Sequence, residues 1–101
     1  MRGRRLRVSI PKELAKRGYW KFIDMLRKAY KEGARVINPE IMHSFIAKAS
    51  EAVPFPGTLK QRVYYFKYWV DIAVSMGFLE EKPGIRGWIL TEKLAEENRR
   101  D

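Results

Sequence analysis

The chain contains no cysteine, so it forms neither disulfides nor thiolate metal sites. Its single histidine, His43, excludes a cluster of repeated imidazole ligands, and we expect it to be a surface or helix-packing residue. There is no glycine-rich phosphate-binding motif, and the acidic residues are scattered along the chain. We therefore expect a protein that is not an enzyme and that uses neither a metal nor a cofactor.

Long apolar runs are also absent. No run approaches the roughly 20 residues of a membrane-spanning helix. The basic start, MRGRRLRVSI, lacks the apolar stretch of a secretory signal. Amides are scarce too, with one glutamine and two asparagines beside 21 Lys+Arg and 12 Asp+Glu. Few thermolabile amides and many charges are a tendency of hyperthermophile proteins. These features predict a cytoplasmic protein with no membrane partner, and they favour a thermophilic source.

The 101 residues carry a formal net charge of +9, which is unevenly distributed. Residues 1–35 hold twelve Lys and Arg and three acidic residues, whereas residues 36–101 hold nine of each. The surplus therefore lies on an N-terminal arm, residues 1–8, and on the helix that follows. Such a surplus favours a polyanionic partner, and nucleic acid is the commonest polyanion. A solubilising surface and an arm for a membrane surface are the alternatives.

The segment SIPKEL predicts a first helix, with Ser9 as its cap and Pro11 in its first turn. The helix is expected to end near Lys31 at the stop residue Gly33, and Gly18 predicts a kink or a short preceding helix. Two apolar stripes lie along it, although a surface helix needs only one. Two stripes predict deep burial or a partner subunit, and we assign the second to a homodimer contact. The first stripe is Leu14, Phe22, Met25 and Ala29, and the second is Tyr19, Ile23, Leu26 and Tyr30.

A short strand and a second helix are predicted next. ARVI, residues 34–37, is too short for a helix and favours a strand. Asn38 and Pro39 are typical of a helix start, and Glu40 suits the positive end of the helix dipole. VPFPG, residues 53–57, then breaks the chain. The predicted core positions of this second helix are Ile41, Phe45, Ala49 and Ala52.

The third predicted helix spans residues 58–76, with Thr58 as its cap and Gly77 as its stop. At 100° per residue, one apolar line runs along it and is expected to face the core. The front half displays tyrosines, a glutamine and basic residues on its other faces. The rear half is apolar nearly all round, which predicts burial. The expected core line is Leu59, Val63, Phe66, Val70 and Ala73.

A hairpin and a last short helix complete the chain. FLEEK (78–82) and GWIL (87–90) predict two strands, which PGIRG connects, and Thr91 is expected to cap the final helix. The predicted order is helix, short strand, helix, turn, helix, two-stranded wing and short helix. This order indicates a mainly α protein with a small β-hairpin wing, a winged helix-turn-helix domain over residues 9–101.

The stretch from Gly57 to Lys93 resembles the second half of winged-helix regulators of the PadR and MarR kind. In those families a glycine followed by leucine or phenylalanine ends the recognition helix, a basic turn forms the wing, and Tyr-x-Leu-Thr-x-Lys/Glu leads out of it. The interval from Gly57 to Gly77 is longer than in PadR-like sequences, and no long dimerisation helix follows the wing. The matching positions are Gly57, Thr58, Leu59, Gly77, Phe78, Leu79, Arg86, Trp88, Leu90, Thr91 and Lys93.

The resemblance implies binding of double-stranded DNA, with helix 58–76 in the major groove and the turn 82–87 on the backbone or in the minor groove. Glutamine and tyrosine are expected to contact bases, and the basic residues to contact phosphates. The extra length leaves open whether the 60–61 end or the 64–68 end enters the groove. The expected DNA contacts are Thr58, Lys60, Gln61, Arg62, Tyr64, Tyr65, Lys67 and Tyr68 on the helix, Lys82 and Arg86 on the wing, and Arg2, Arg4, Arg5 and Arg7 on the arm.

Several roles fit these expectations. The first is a dimeric, site-specific transcription regulator associated with the nucleoid. The second is DNA segregation or packaging, in which a small basic winged helix marks a centromere-like site and spreads, as similar domains do in archaeal plasmids and viruses. The rival from another class is a protein-interaction module, in which the tyrosines pack on a partner. Three basic residues and no acid over residues 60–67 favour a polyanion, with RNA as a further alternative.

Overall fold

In the computed structural model, which describes residues 10–96, helices enclose one core and a small antiparallel sheet closes one side of it. The predicted arm, the predicted cap Ser9 and the arginines at positions 2, 4, 5 and 7 lie outside the described residues. The α-helices are α1 (Lys12–Lys31), α2 (Pro39–Ala49), α3 (Leu59–Tyr65) and α4 (Tyr68–Ser75), and the strands are β1 (Val36–Ile37), β2 (Leu79–Glu80) and β3 (Trp88–Leu90). Short 3-10 turns cover Ser50–Ala52 and Glu92–Ala95.

Helix α1 packs against α2, α4 and both 3-10 turns, so it is covered on more than one side. Phe22 of the first predicted stripe is fully buried, and so are Ile23 and Leu26 of the second, while Tyr19 is only 5% exposed. Tyr19, Ile23 and Leu26, three of the predicted homodimer contacts, instead fill the core of one chain, and the homodimer itself stays a prediction. Tyr30, the fourth predicted contact, is half-buried and carries the Arg35 guanidinium 3.9 Å from its ring centroid.

Gly18 allows a close approach between α1 and α4. A Cβ atom at this position would lie 2.8 Å from Trp69 Cη2 and 2.8 Å from Val53 Cγ2, closer than real Cβ contacts. The indole of Trp69, 1% exposed, therefore packs directly on the α1 backbone. Helix α1 runs unbroken through Gly18, so the predicted alternative of a separate short helix before Gly18 is wrong.

Helix α2 starts as predicted, with the Asn38 Oδ1 atom accepting a hydrogen bond of 2.8 Å from the Ile41 N–H. Its predicted core line is confirmed at Ala49, which is 1% exposed, but is displaced by one residue earlier in the helix. There Met42 and Ile46 are fully buried, whereas Ile41 is 42% exposed. The lines 41–45 and 42–46 have the same helical spacing, so spacing alone does not select between them; packing against α1 does.

The third predicted helix is two helices, and the single helix over residues 58–76 is wrong. Between α3 and α4, the N–H groups of Lys67, Trp69 and Val70 bond to carbonyls three residues back instead of four. Phe66, at φ −93° and ψ 10°, leaves the helical conformation and is fully buried. Its ring stacks on Trp69 with centroids 4.5 Å apart. Leu59, predicted to be core, is 64% exposed because α3 packs less deeply than α4.

The strands form one sheet in the order β1-β3-β2, with both pairs antiparallel. Val36 pairs with Ile89, and Leu79 pairs with Leu90, so the predicted hairpin and the predicted short strand join in one sheet. Gly87 has φ 120°, and a Cβ atom there would collide with the Ile37 carbonyl oxygen. This positive φ, together with the missing side chain, allows the hairpin to approach β1.

The last described segment closes the core. Thr91 Oγ1 accepts a hydrogen bond from the Lys93 N–H, which confirms Thr91 as a cap, and Leu94 is fully buried. Lys93 also donates to the Met76 carbonyl at 2.7 Å and so satisfies the end of α4. Over residues 10–96, no helix combines the length and the apolar character that crossing a membrane requires.

Candidate nucleic-acid interface

Helices α2 and α3 leave an open groove of about 680 Å³ between them. Its α3 side carries two lysines around apolar and aromatic side chains. Two of its lining residues, His43 and Lys67, also line a smaller cavity that extends to Glu81 and Trp88 of the hairpin. The groove therefore adjoins a cavity that the hairpin lines. We call it the α2–α3 groove; its lining is Glu40, His43, Ser44, Ala47, Leu59, Lys60, Val63, Tyr64 and Lys67.

The start of α3 is fixed by a reciprocal pair of hydrogen bonds. Thr58 Oγ1 accepts from the Gln61 N–H at 3.2 Å, and Gln61 Oε1 accepts from the Thr58 N–H at 2.8 Å. This capping box satisfies two backbone donors that a helix start leaves unpaired. It also occupies the carbonyl oxygen that Gln61 would need for a bidentate contact with adenine. Both predicted DNA contacts thus serve to begin the helix.

Arg62 does not present its charge to the solvent face of α3. Its Nη1 atom donates to the Ser50 and Val53 carbonyls at 2.7 and 2.8 Å, and its Nη2 atom donates to the Phe55 carbonyl at 3.4 Å. The guanidinium carbon also lies 5.4 Å from the Phe55 ring centroid. The predicted phosphate contact through Arg62 is therefore replaced by a structural role, in which Arg62 holds the 50–55 loop against α3.

Lys60 and Tyr64 of α3 line the α2–α3 groove together with Lys67, which lies in the turn between α3 and α4. Positions 60 and 64 lie on one side of α3 at a period of 3.6 residues. Tyr64 is 75% exposed, and the Lys67 Nζ atom lies 5.5 Å from its ring centroid. The structure thus brings together two of the predicted basic residues and one of the predicted tyrosines.

Tyr65 and Tyr68 lie away from this groove, in an aromatic cluster. The Tyr65 ring is 5.3 Å from Phe55 and 5.0 Å from Phe66, and Tyr68 packs against Phe66 at 6.2 Å. Burial, together with neighbouring Tyr65, raises the pKa of Tyr68. Along α4 this surface continues through Ile72 and Met76. We call it the tyrosine stripe: its members Tyr65, Tyr68, Ile72 and Met76 are 36–40% exposed and carry no charge.

Arg86 of the hairpin is tied to the first turn of α2. Its Nη2 atom donates to Glu40 Oε2 at 2.8 Å, and its Nη1 atom donates to Glu40 Oε1 at 3.2 Å. These hydrogen bonds lower the pKa of Glu40 and raise that of Arg86. Because Glu40 lines the α2–α3 groove, the pair places the hairpin tip at the groove edge. Lys82, also predicted to contact DNA, is exposed at the other side of the turn.

The chemistry of these side chains is the basis for a functional assignment. In comparisons with protein-family models, curated proteins and solved structures, no match to the chain was found. The site must accordingly be interpreted from its own composition. It contains two lysines, an exposed tyrosine, apolar side chains and the polar residues Glu40, His43 and Ser44. Among residues 10–96, no group of three or more His, Asp and Glu side chains is arranged to hold a metal ion.

Two residues of this surface are not predicted as part of it by the sequence. Leu59 is expected in the core line, because a continuous helix would turn it inward. Glu40 is expected only as a favourable charge at a helix start, and its pairing with Arg86 joins residues 46 positions apart. The position of Leu59 directly after the helix cap is the one available signal, since first-turn side chains often remain accessible. Nothing local in the sequence indicates the Glu40–Arg86 pair.

Proposed function

We propose that the chain is a winged helix-turn-helix protein that binds double-stranded DNA. The order α1-β1-α2-α3-α4-β2-β3 and the antiparallel sheet order β1-β3-β2 support this fold assignment. In this proposal α2 and α3 form the helix-turn-helix, and the hairpin turn, residues 81–87, is the wing. Helix α3 enters the major groove by its groove-lining face, as second helices of this motif do.

The observation that carries the proposal is the grouping of Lys60, Tyr64 and Lys67 on one exposed face beside the wing. No acidic residue lies between positions 59 and 67. Lysines at the edges of an apolar surface suit phosphates on either side of a groove, and phosphate contacts fix position rather than sequence. Arg62 and Gln61 are not part of this contact set, since both are engaged within the chain.

Two DNA roles follow from this assignment. Site-specific transcription regulation is the first, and DNA segregation by binding a centromere-like site and spreading is the alternative. They differ in the pattern of occupied sites. A genome-wide footprint limited to promoters supports the first role, and one confined to a repeated array supports the second.

The proposal predicts strongly salt-dependent duplex binding, because each neutralised phosphate releases counterions. The binding constant of a labelled duplex should fall steeply as salt rises. Replacing both Lys60 and Lys67 by Ala should reduce the slope of log K against log salt by about 1.8, at roughly 0.9 per phosphate contact. Lys48→Ala, an exposed lysine outside the groove, is the matched control and should change the slope little. Duplex binding that is equally strong at low and high salt would contradict the proposal.

A protein-interaction module is the second candidate, and the tyrosine stripe favours it. Its four exposed side chains form a neutral apolar surface on a chain with a net charge of +9. Neutral apolar patches are typical of protein contacts, and charged residues are depleted at their centres. Absence of duplex binding, together with self-association that Ile72→Asp abolishes in sedimentation, would replace the first candidate by this one.

A further inference from the structure

The exposed face of α3 has few polar groups left for hydrogen bonding to bases. Gln61 uses its carbonyl oxygen in the capping box, and Arg62 uses its guanidinium on the 50–55 loop. The other side chains on this side of the α2–α3 groove are Leu59, Val63 and Tyr64, beside Lys60 and Lys67. This side of the contact surface is therefore mainly apolar and carries two cations.

Leu59 is the most unusual member of this surface. It is the first residue of α3 and is 64% exposed, although the residue that caps the far end of the same helix, Phe66, is fully buried. Exposed leucines occur singly on many proteins, but this one adjoins half-buried Val63 and the exposed ring of Tyr64 in one groove. The N-terminal residues of a helix in this position are the ones that touch base edges.

In the major groove, an apolar side chain distinguishes base pairs through the C5-methyl group of thymine. Side chains four residues apart on a helix are about 5–6 Å apart. Leu59 and Val63 would thus span between one and two base steps of about 3.4 Å each. Neighbouring A·T pairs present methyl groups at such intervals.

Resting on the proposed function, we infer that the α2–α3 groove contacts the thymine methyl groups of an A·T-containing duplex, with Leu59 as the specificity-determining residue. The charges favour this occupant over an apolar protein segment. Lys60 and Lys67 complement the phosphates that run along both edges of a major groove, and Glu40, the acid in the lining, is already paired with Arg86. Tyr64 adds the face of its ring to the same contact.

Deoxyuridine tests this inference, because replacing thymine by uracil removes the methyl group and keeps the base-pairing pattern. We expect the wild-type chain to bind a uracil duplex more weakly, by roughly fourfold for each methyl group that the groove buries. Leu59→Ala should bind both duplexes with nearly equal affinity, and Leu59→Met, which keeps a large apolar side chain, should retain the preference. Tyr68→Ala, on the tyrosine stripe, is the matched control and should retain it too.

Separate outcomes distinguish this inference from the proposed function. Salt-dependent duplex binding with equal affinity for thymine and uracil overturns the methyl contact and leaves DNA binding standing. Absence of duplex binding overturns both. A preference that survives in Leu59→Ala, or that disappears equally in Tyr68→Ala, overturns the assignment to the groove. Thermal melting of each variant shows that the comparison is made between folded proteins.

Discussion

Arg86 and Glu40 are both about two-thirds exposed, yet their side chains meet in two hydrogen bonds at the edge of the α2–α3 groove. An ion pair between exposed side chains adds little to folding stability, because water and salt screen it. The ion pair has a larger effect on the binding of a phosphate, because Glu40 places a negative charge beside the Arg86 cation that the wing would present. In the proposed complex, Glu40 would therefore limit the electrostatic attraction between the wing and DNA.

Glu40→Gln should accordingly bind duplex DNA more tightly and with a steeper salt dependence. Releasing Arg86 allows one more phosphate contact, which adds about 0.9 to the slope of log K against log salt. Glu51→Gln, an exposed acid on the 3-10 turn after α2, is the control for removing a negative charge. Equal gains in both variants would mean that net charge alone is responsible. Weaker binding by Glu40→Gln would mean that the pair positions the wing.

The pH dependence of this effect follows from the direction of the Glu40 pKa shift. The hydrogen bonds from Arg86 lower that pKa from the ordinary value of a glutamate, so Glu40 stays charged in the folded protein between about pH 5 and pH 7. What the pair contributes to stability is present above the unfolded pKa and is lost as pH falls through the lower, folded one. The affinity difference between wild type and Glu40→Gln should therefore be constant from about pH 5 to pH 7.

Among the helices and strands, features that depend on neighbouring residues can be predicted from the sequence, and features that depend on distant residues cannot. The caps Asn38, Thr58 and Thr91 each bond within three residues of themselves, so the sequence alone is enough to locate them. The break between α3 and α4 falls at Phe66 and Lys67, where the sequence has neither glycine nor proline to indicate it. The candidate site is accordingly predictable in part. Its lysines, one tyrosine and its wing arginine are predicted by pattern, whereas Leu59, which the pattern places in the core, is exposed, and the pairing of Arg86 with Glu40 has no local signal.

Arg62 provides a test of how α3 is held to the preceding loop. Arg62→Met keeps the aliphatic stem and removes the hydrogen bonds to the 50–55 loop carbonyls. Hydrogen bonds from a charged donor contribute about 1.5–3 kcal/mol. We expect the free energy of unfolding in urea to fall by about that amount. Lys60→Met should change stability by less than about 0.5 kcal/mol while weakening duplex binding. A phosphate-binding Arg62 would show the reverse result, with weaker binding and unchanged stability.

Over the whole molecule, the positive charge extends beyond the groove. Helix α1 presents Arg17, Lys21, Lys28 and Lys31 to solvent, away from its buried residues. Charges spread over a surface accelerate association with a polyanion and act over about one Debye length, roughly 10 Å at 0.1 M salt. The groove lysines should thus account for only part of the salt dependence, and the rest should persist when they are removed.

Helix α1 also provides a test of whether one chain folds without a second copy. Ile23 is fully buried within a single chain, so Ile23→Ala should reduce the free energy of unfolding by about 2–5 kcal/mol through poorer packing and a cavity. Because no second chain is needed for that burial, the reduction should be the same at low and high protein concentration. Lys21→Ala, on the exposed face of α1, should change stability by less than about 0.5 kcal/mol. A subunit contact through Ile23 would behave differently: mass action would lower the wild-type urea midpoint on dilution, and the variant would lose that dependence.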